Sequence, residues 1–214
     1  MEANRITVKS LIISVGAILC VEATVGTFIA SCPFNSTFVL GLMRLIEIAL
    51  LVFLAVLWGN GVSSVGLARS NAVYGLVRGL VWSAGFGVSA LIAYLIFYAV
   101  GIDTLPIIKS NMPKGPSEIT LFFMVGGVVG PVAEEIFFRG ILYGFFRRWG
   151  IFVALTVSTL IFVLAHPGFP GIPVTQVVGG IVFAMAYEIE GSLMAPLTIH
   201  VLGNTAIFTL SWIT

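Results

Sequence analysis

The chain has 214 residues, of which 59% are hydrophobic and only 9% are charged, and its formal net charge is +1. A soluble domain carries roughly 25% charged residues, so this composition excludes a soluble globular protein and indicates a membrane protein. The near-zero net charge gives no reason to expect a nucleic-acid partner, which would call for a strongly basic chain.

Seven apolar segments follow one another along the chain, and a membrane-spanning helix needs about 20 such residues. Backbone polar groups in lipid must be paired within the segment, which favours helices over strands. The sequence therefore predicts an all-α, polytopic transmembrane helical bundle of about seven spans (six to eight), organised as a single integral membrane domain over residues 1–214. The segments are Val8–Ala30, Phe38–Trp58, Val73–Val100, Ile119–Trp149, Ile151–Ala165, Val174–Tyr187 and Leu193–Ile213.

The fourth segment is too long for one straight span. It contains Gly126-Gly127 and Gly130-Pro131. Proline is favoured in the first turn of a helix, so we expect the segment to break at these glycines and a new helix to begin near Pro131.

Basic residues in short loops predict the orientation, because cytoplasmic loops are enriched in Lys and Arg. With seven spans, one side of the membrane receives most of the basic loop residues, whereas Lys109 and Lys114 fall on the other side. This distribution favours a cytoplasmic N-terminus. The residues on the predicted cytoplasmic side are Arg5, Lys9, Arg69, Arg147 and Arg148.

Ionisable residues inside a membrane cost several kcal/mol, so each is a candidate functional residue. Glu134, Glu135 and Arg139 lie in one apolar stretch. Glu135 and Arg139 are four residues apart and can pair on one helix face. Glu134 points elsewhere and is left available as a general base. The alternative is an ion pair that locks two helices, which accounts for Glu135 and Arg139 but not for Glu134.

The two histidines of the chain lie in two further apolar segments. His166 ends the fifth segment, where a lone histidine is commonly a core or interfacial residue. His200 and Asn204 are four residues apart, so both face one way and can present an N–H and an amide to one point, as an oxyanion site requires. A plain hydrogen bond between helices is their alternative role.

Other polar residues in the apolar segments are expected to be structural. Arg44 and Glu47 are three residues apart and can pair with each other. Glu188 and Glu190 lie at a segment end, where carboxylates reach water at little cost.

Several intramembrane protease chemistries lack their residues in this chain. An aspartyl protease needs two aspartates, and the chain has only Asp103, in a loop. A zinc protease of the site-2 type needs His-Glu-x-x-His, but neither histidine is followed by glutamate. No Gly-x-Ser-Gly segment of the rhomboid serine type is present. Chemistry based on glutamate and histidine remains.

The three clusters, in their order, resemble the CAAX protease and bacteriocin-processing family. Its motifs read here as Glu134-Glu135-x-x-x-Arg139, Phe162-x-x-x-His166 and His200-x-x-x-Asn204, all within about residues 119–214. The resemblance implies an intramembrane endopeptidase in a prokaryotic cell membrane. In such an enzyme Glu134 and His166 would hold the attacking water, and His200 and Asn204 would bind the oxyanion. Glu135 and Arg139 would orient the site.

The resemblance leaves the cofactor and the substrate open. Glu134, His166 and His200 match the ligand types of a catalytic zinc site, but we favour a reaction without a metal, because Asn204 is a poor zinc ligand and a good donor. Expected partners are membrane lipid and a membrane-anchored protein substrate bearing a C-terminal tail, a sorting signal or a prenylated, CAAX-like segment. A non-catalytic immunity protein or ion carrier would also bury such residues.

Overall fold

The structure, a computed structural model, describes residues 6–31, 35–58, 61–166 and 173–214. Within these residues the regular secondary structure is entirely helical, which confirms the predicted all-α class. The helices are α1 (Val8–Ser31), α2 (Ser36–Trp58), α3 (Ala72–Ala99), a short α4 (Leu105–Ile108), α5 (Pro116–Trp149), α6 (Ile151–Leu164), α7 (Val174–Glu190) and α8 (Met194–Ile213).

Four helical segments in the described part of the chain are long and apolar enough to cross a membrane. They are Val8–Thr27, Ser36–Trp58, Arg69–Ala99 and Pro116–Trp149. The other three predicted segments correspond to α6, α7 and α8, and α6 has only 14 residues. The protein is thus an integral, multi-pass membrane protein, and the total of seven spans stays a prediction.

The prediction of a break in the fourth segment is wrong, because α5 continues through its glycines. The chain widens instead into π-helical turns over Val125–Val129 and again over Ile136–Tyr143. The Gly130 N–H donates to the Val125 carbonyl, five residues earlier. The next bond of that pattern would join Gly126 to Pro131, which has no N–H to donate. Wide turns of this kind are frequent at functional sites.

Helix α5 lies at the centre of the bundle and contacts α1, α2, α6, α7 and α8, whereas α3 packs mainly on α8. The buried apolar residues form two clusters that both draw on α5. One includes Ile141 and Tyr143 with residues of α1, α2 and α7, and the other joins Phe138 to Phe162 and Phe183. Glu135 and Arg139 on α5 are therefore surrounded by other helices rather than by lipid.

Three of the basic residues predicted for one side of the membrane, Lys9, Arg147 and Arg148, lie at one end of the bundle. Arg5, predicted for the same side, lies outside the described residues. Arg148 donates to the Ile6 carbonyl just before α1, and Lys9 lies over the Trp58 ring at the end of α2. Arg147 pairs with Glu188 near the end of α7, with Nη2 and Oε1 2.9 Å apart. We call this the basic end. Its assignment to the cytoplasm stays a prediction.

Two of the expectations for structural polar residues have different outcomes. Arg44 and Glu47 pair as predicted, at 2.6 Å. Glu190 does not reach water, since its side chain is only 1% exposed. Tyr74, Arg78 and Trp82 of α3 each donate a hydrogen bond to its carboxylate. A segment end that lies inside the bundle buries its carboxylate, and these three donors compensate for the lost water.

Close packing of α3 on α8 depends on Gly79. A Cβ added there would lie 2.6 Å from the Thr198 Cβ and 2.8 Å from the Ala195 carbonyl oxygen. We expect Gly79→Ala to lower the free energy of unfolding by about 1–3 kcal/mol, the usual cost of overpacking. The matched control is Gly87→Ala on the same helix, where a Cβ meets open space. That change should raise stability slightly, because alanine is the better helix former. Unfolding of both variants in detergent measures the difference, and equal stability would contradict the packing.

Candidate active site

Glu135, Arg139 and His200 form a buried chain of polar contacts between α5 and α8. The Glu135 and Arg139 side chains are 0% and 1% exposed, and Arg139 Nη1 donates to Glu135 Oε1 over 3.0 Å. The same oxygen accepts from His200 Nδ1 over 2.7 Å. The predicted pair on one face of α5 is therefore present. In addition it holds the imidazole of a helix 65 residues further along the chain.

Glu134 lies beside both histidines. Its Oε2 is 3.6 Å from His166 Nε2 and 3.8 Å from His200 Nε2. The Glu134 side chain is 16% exposed and that of His166 28%, whereas His200 is 5% exposed. The site is thus closed on the side of α8 and open on the side of His166.

The hydrogen bonds at Nδ1 orient both imidazoles. His166 Nδ1 lies 2.7 Å from the Phe162 carbonyl oxygen, which can only accept, so Nδ1 carries the proton. The Glu135 carboxylate imposes the same on His200. In both rings Nε2 is therefore the atom directed towards Glu134. The Phe-x-x-x-His spacing explains the first bond, because residue i+4 reaches the carbonyl of residue i at a helix end.

Asn204 projects towards α5, as His200 does, but one turn further along α8. Its Nδ2 donates to the Gly126 carbonyl oxygen over 2.9 Å. That carbonyl belongs to the π-turn and lacks its helical donor because residue 131 is proline. One N–H of the Asn204 amide thus replaces the missing backbone donor to Gly126. The second N–H of the same amide is available for another hydrogen bond. His200 and Asn204 thus face the same helix, as predicted, but each contacts a different residue of α5.

Aromatic rings close the buried side of the site. His200 stacks on Phe183 with ring centroids 4.6 Å apart, and the Arg139 guanidinium lies 4.6 Å from the Phe162 centroid. Arg139 Nη2 also donates to the Gly180 carbonyl. These contacts keep the rings fixed and exclude water from the Glu135–Arg139 pair, which strengthens its charge interaction.

Arg44 is a neighbour of the site that the sequence spacing did not reveal. Its Nη1 bridges Glu47 on α2 and Glu22 on α1, at 2.6 Å and 2.9 Å. Its charge also interacts with Glu134, since α2 packs against α5. The pairing of Arg44 with Glu47 was predicted, but the proximity to Glu134 depends on tertiary packing. In the sequence, the available signal was an arginine inside the second apolar segment.

The metal alternative involves Glu134, His166 and His200, whose donor types suit zinc. In the described ranges no group of three or more His, Cys, Asp or Glu residues is arranged to hold a metal ion. A reaction without a metal stays a prediction, and no step of the reaction proposed below uses a metal.

A polytopic membrane protein with two histidines directed at one buried glutamate belongs to the class of proteins that place polar chemistry inside the bilayer. Residues 116–206 match the family model described as type II CAAX prenyl endopeptidase Rce1-like. Over this stretch, which is less than half of the chain, the sequence is similar to the CAAX protease family. This stretch contains all seven residues of the three motifs, from Glu134 to Asn204.

Two bacterial relatives are similar over the same part of the chain. The membrane-embedded CAAX protease MroQ of Staphylococcus aureus (strain USA300) is 36% identical over 94 residues, which are 41% of this chain and 38% of the relative. A candidate membrane peptidase, YdiL of Bacillus subtilis (strain 168), is 30% identical over 88 residues, 41% of this chain and 36% of the relative. The alignments thus span less than two fifths of each relative's length. No solved structure matches the chain significantly. The apolar helices and the bacterial relatives place the protein in a prokaryotic membrane.

Proposed function

We propose that the protein is an intramembrane endopeptidase in which Glu134 and His166 hold and activate the attacking water. The observation that carries the proposal is the 3.6 Å separation of Glu134 Oε2 and His166 Nε2. That distance is too long for a good direct hydrogen bond. Two acceptors facing each other at such a distance are well placed to share one water molecule, each accepting one of its hydrogens.

The reaction follows from these positions. The water oxygen attacks the carbonyl carbon of the scissile peptide bond, and Glu134 takes the proton that the water loses. The carbonyl oxygen becomes an oxyanion, for which the second N–H of Asn204 is one proposed donor. His200 Nε2 is the other, provided that His200 reacts as an imidazolium with a proton on each ring nitrogen. The C–N bond then breaks, and the proton held by Glu134 passes to the leaving nitrogen. Glu135 and Arg139 position His200 throughout.

The substrate class follows from the family and from the site's location. We propose a membrane-associated protein whose C-terminal tail, sorting signal or CAAX-like segment reaches the open side of the site near His166. The opposite side is closed by Phe162, Phe183 and the buried Glu135–Arg139 pair. A test is the cleavage of membrane-anchored reporters that carry such segments by the purified protein in liposomes.

Removal of metal ions should leave the proposed activity unchanged. We expect full reporter cleavage after dialysis against EDTA and 1,10-phenanthroline, because the mechanism assigns every proton transfer to side chains. Cleavage by the untreated and the treated protein is compared at equal concentration. A loss that zinc restores would contradict the mechanism in favour of the zinc-dependent version of the same protease.

A non-catalytic membrane protein is the competing function, since an immunity protein or an ion carrier also tolerates buried glutamates. The two functions differ in what Glu134 must do. In a carrier, loss of Glu134 would change ion flux across the liposome membrane, whereas in a protease it would change only product formation. Measuring both in the same liposomes separates them.

A further inference from the structure

A groove runs along the outer face of α3 and ends on α7. Its volume is about 450 Å³, within the range of small-molecule sites. Apolar and aromatic side chains line most of it, and one charged group lies at one end. The lining residues used below are Arg78, Val81, Trp82, Gly85, Phe86 and Val182. From this groove we infer a binding site for one anionic phospholipid, with its phosphate on Arg78 and an acyl chain along the apolar part.

Arg78 has the geometry of a preorganised anion ligand. Its Nε donates to Glu190 over 3.0 Å, which fixes the guanidinium, while its side chain remains 42% exposed. The bond uses Nε alone, so the two terminal amino groups are presented to the groove. A guanidinium is suited to phosphate because it offers a fork of parallel N–H donors. The Glu190 carboxylate also accepts hydrogen bonds from Tyr74 and Trp82, which stabilise its charge.

The charged end of the groove lies near the basic end of the bundle. Arg78 is six residues into α3, or about 9 Å from its start at a rise of 1.5 Å per residue. That start lies at the basic end, where Ser192 of the α7–α8 turn donates to the Asn71 carbonyl. Basic residues at a membrane surface attract anionic lipids. Trp82 and Tyr74 complete the set of aromatic and basic anchors typical of the interface.

The length of the groove fits one leaflet. The lining extends along α3 from Arg78 to Ser89, which corresponds to about 17 Å of helix. Half of a hydrocarbon core of about 30 Å is about 15 Å, the depth reached by one acyl chain. Gly85 forms the floor midway, and a Cβ there would meet open space. This space can accommodate a chain without displacing a helix.

Two variants separate a specific site from general lipid contact. Gly85→Leu fills the groove, and Gly87→Leu adds the same side chain outside it, where a Cβ also meets open space. Neither residue belongs to the proposed catalytic machinery. Native mass spectrometry of the detergent-solubilised chain, titrated with phosphatidylglycerol or phosphatidylcholine, measures the retained lipid.

We expect the wild type and Gly87→Leu to retain one phosphatidylglycerol, and Gly85→Leu to bind it at least about tenfold more weakly. Arg78→Gln should abolish the preference for phosphatidylglycerol over phosphatidylcholine, and inorganic phosphate should not displace the bound lipid. Equal retention of both lipids by the wild type would overturn the inference. So would equal binding by the two leucine variants, or displacement by a farnesylated peptide, which would identify a substrate site instead. The inference is independent of the proposed proteolysis.

Discussion

Glu134→Gln should reduce the rate of reporter cleavage by about 10²- to 10⁴-fold, the usual contribution of a general base. Glutamine keeps the size and polarity of the side chain, but its amide cannot take a proton from water. Glu134 Oε2 lies 3.6 Å and 3.8 Å from Nε2 of His166 and His200. The buried ion pair of α5 joins Arg139 to Glu135, not to Glu134. The variant should therefore keep wild-type stability. The measurement is single-turnover cleavage in liposomes together with thermal unfolding.

Glu118→Gln is the matched control for that loss. Glu118 lies in the first turn of the same helix, and it is exposed. The control should cleave the reporter at the wild-type rate. Wild-type cleavage by Glu134→Gln would refute the assigned base, and an equal loss in both variants would attribute the effect to the charge of α5 rather than to the site.

Arg139→Met should lower the free energy of unfolding by about 3–5 kcal/mol, the cost of removing one partner of a buried ion pair. Methionine keeps much of the volume, but it leaves the Glu135 carboxylate at 0% exposure with His200 as its remaining hydrogen-bond partner. The Gly180 carbonyl also loses its bond from Nη2. The rate of cleavage should fall as well, because Glu135, which orients His200, has then lost the arginine that balances its charge. Denaturant unfolding in detergent micelles measures the effect.

The double variant Glu135→Gln/Arg139→Met tests the cause of that instability. Removing both charges should recover part of the lost stability, because a buried carboxylate no longer lacks its partner. Arg147→Met is the matched control, since Arg147 pairs with Glu188 at 20% and 13% exposure and should cost less. If Arg139→Met and Arg147→Met lowered the free energy of unfolding equally, the special contribution of the buried Glu135–Arg139 pair would be contradicted.

Much of the fold and part of the site follow from local sequence. The Glu135–Arg139 contact is a four-residue relation on one helix, and the His166 bond to Phe162 is another, so spacing alone predicts or explains them. The all-α class follows from apolar segments that must pair their own backbone groups in lipid. These features depend on residues that are neighbours along one helix.

The remaining features depend on packing between helices. His200 contacts Glu135 from 65 residues away, and Asn204 reaches the Gly126 carbonyl from 78 residues away. The second contact also explains why a predicted break at the glycines is a π-turn instead, since the amide of α8 supplies the donor that Pro131 lacks. The charge of Arg44 near Glu134 and the burial of Glu190 have the same origin. Residue spacing along a single helix therefore cannot predict these contacts between helices.

Cleavage of a membrane-anchored reporter by the purified chain in liposomes, with the products weighed by mass spectrometry, tests the central claim most directly. The account predicts two products whose masses sum to that of the reporter plus one water. The wild type and Glu118→Gln should form them at equal rates, and Glu134→Gln and His166→Ala at least about 10²-fold more slowly. Product formation at the wild-type rate by either of the last two variants would contradict water activation by Glu134 and His166. The absence of product from the wild type, over a panel of tail, sorting-signal and CAAX-like reporters, would contradict the proposed proteolysis itself.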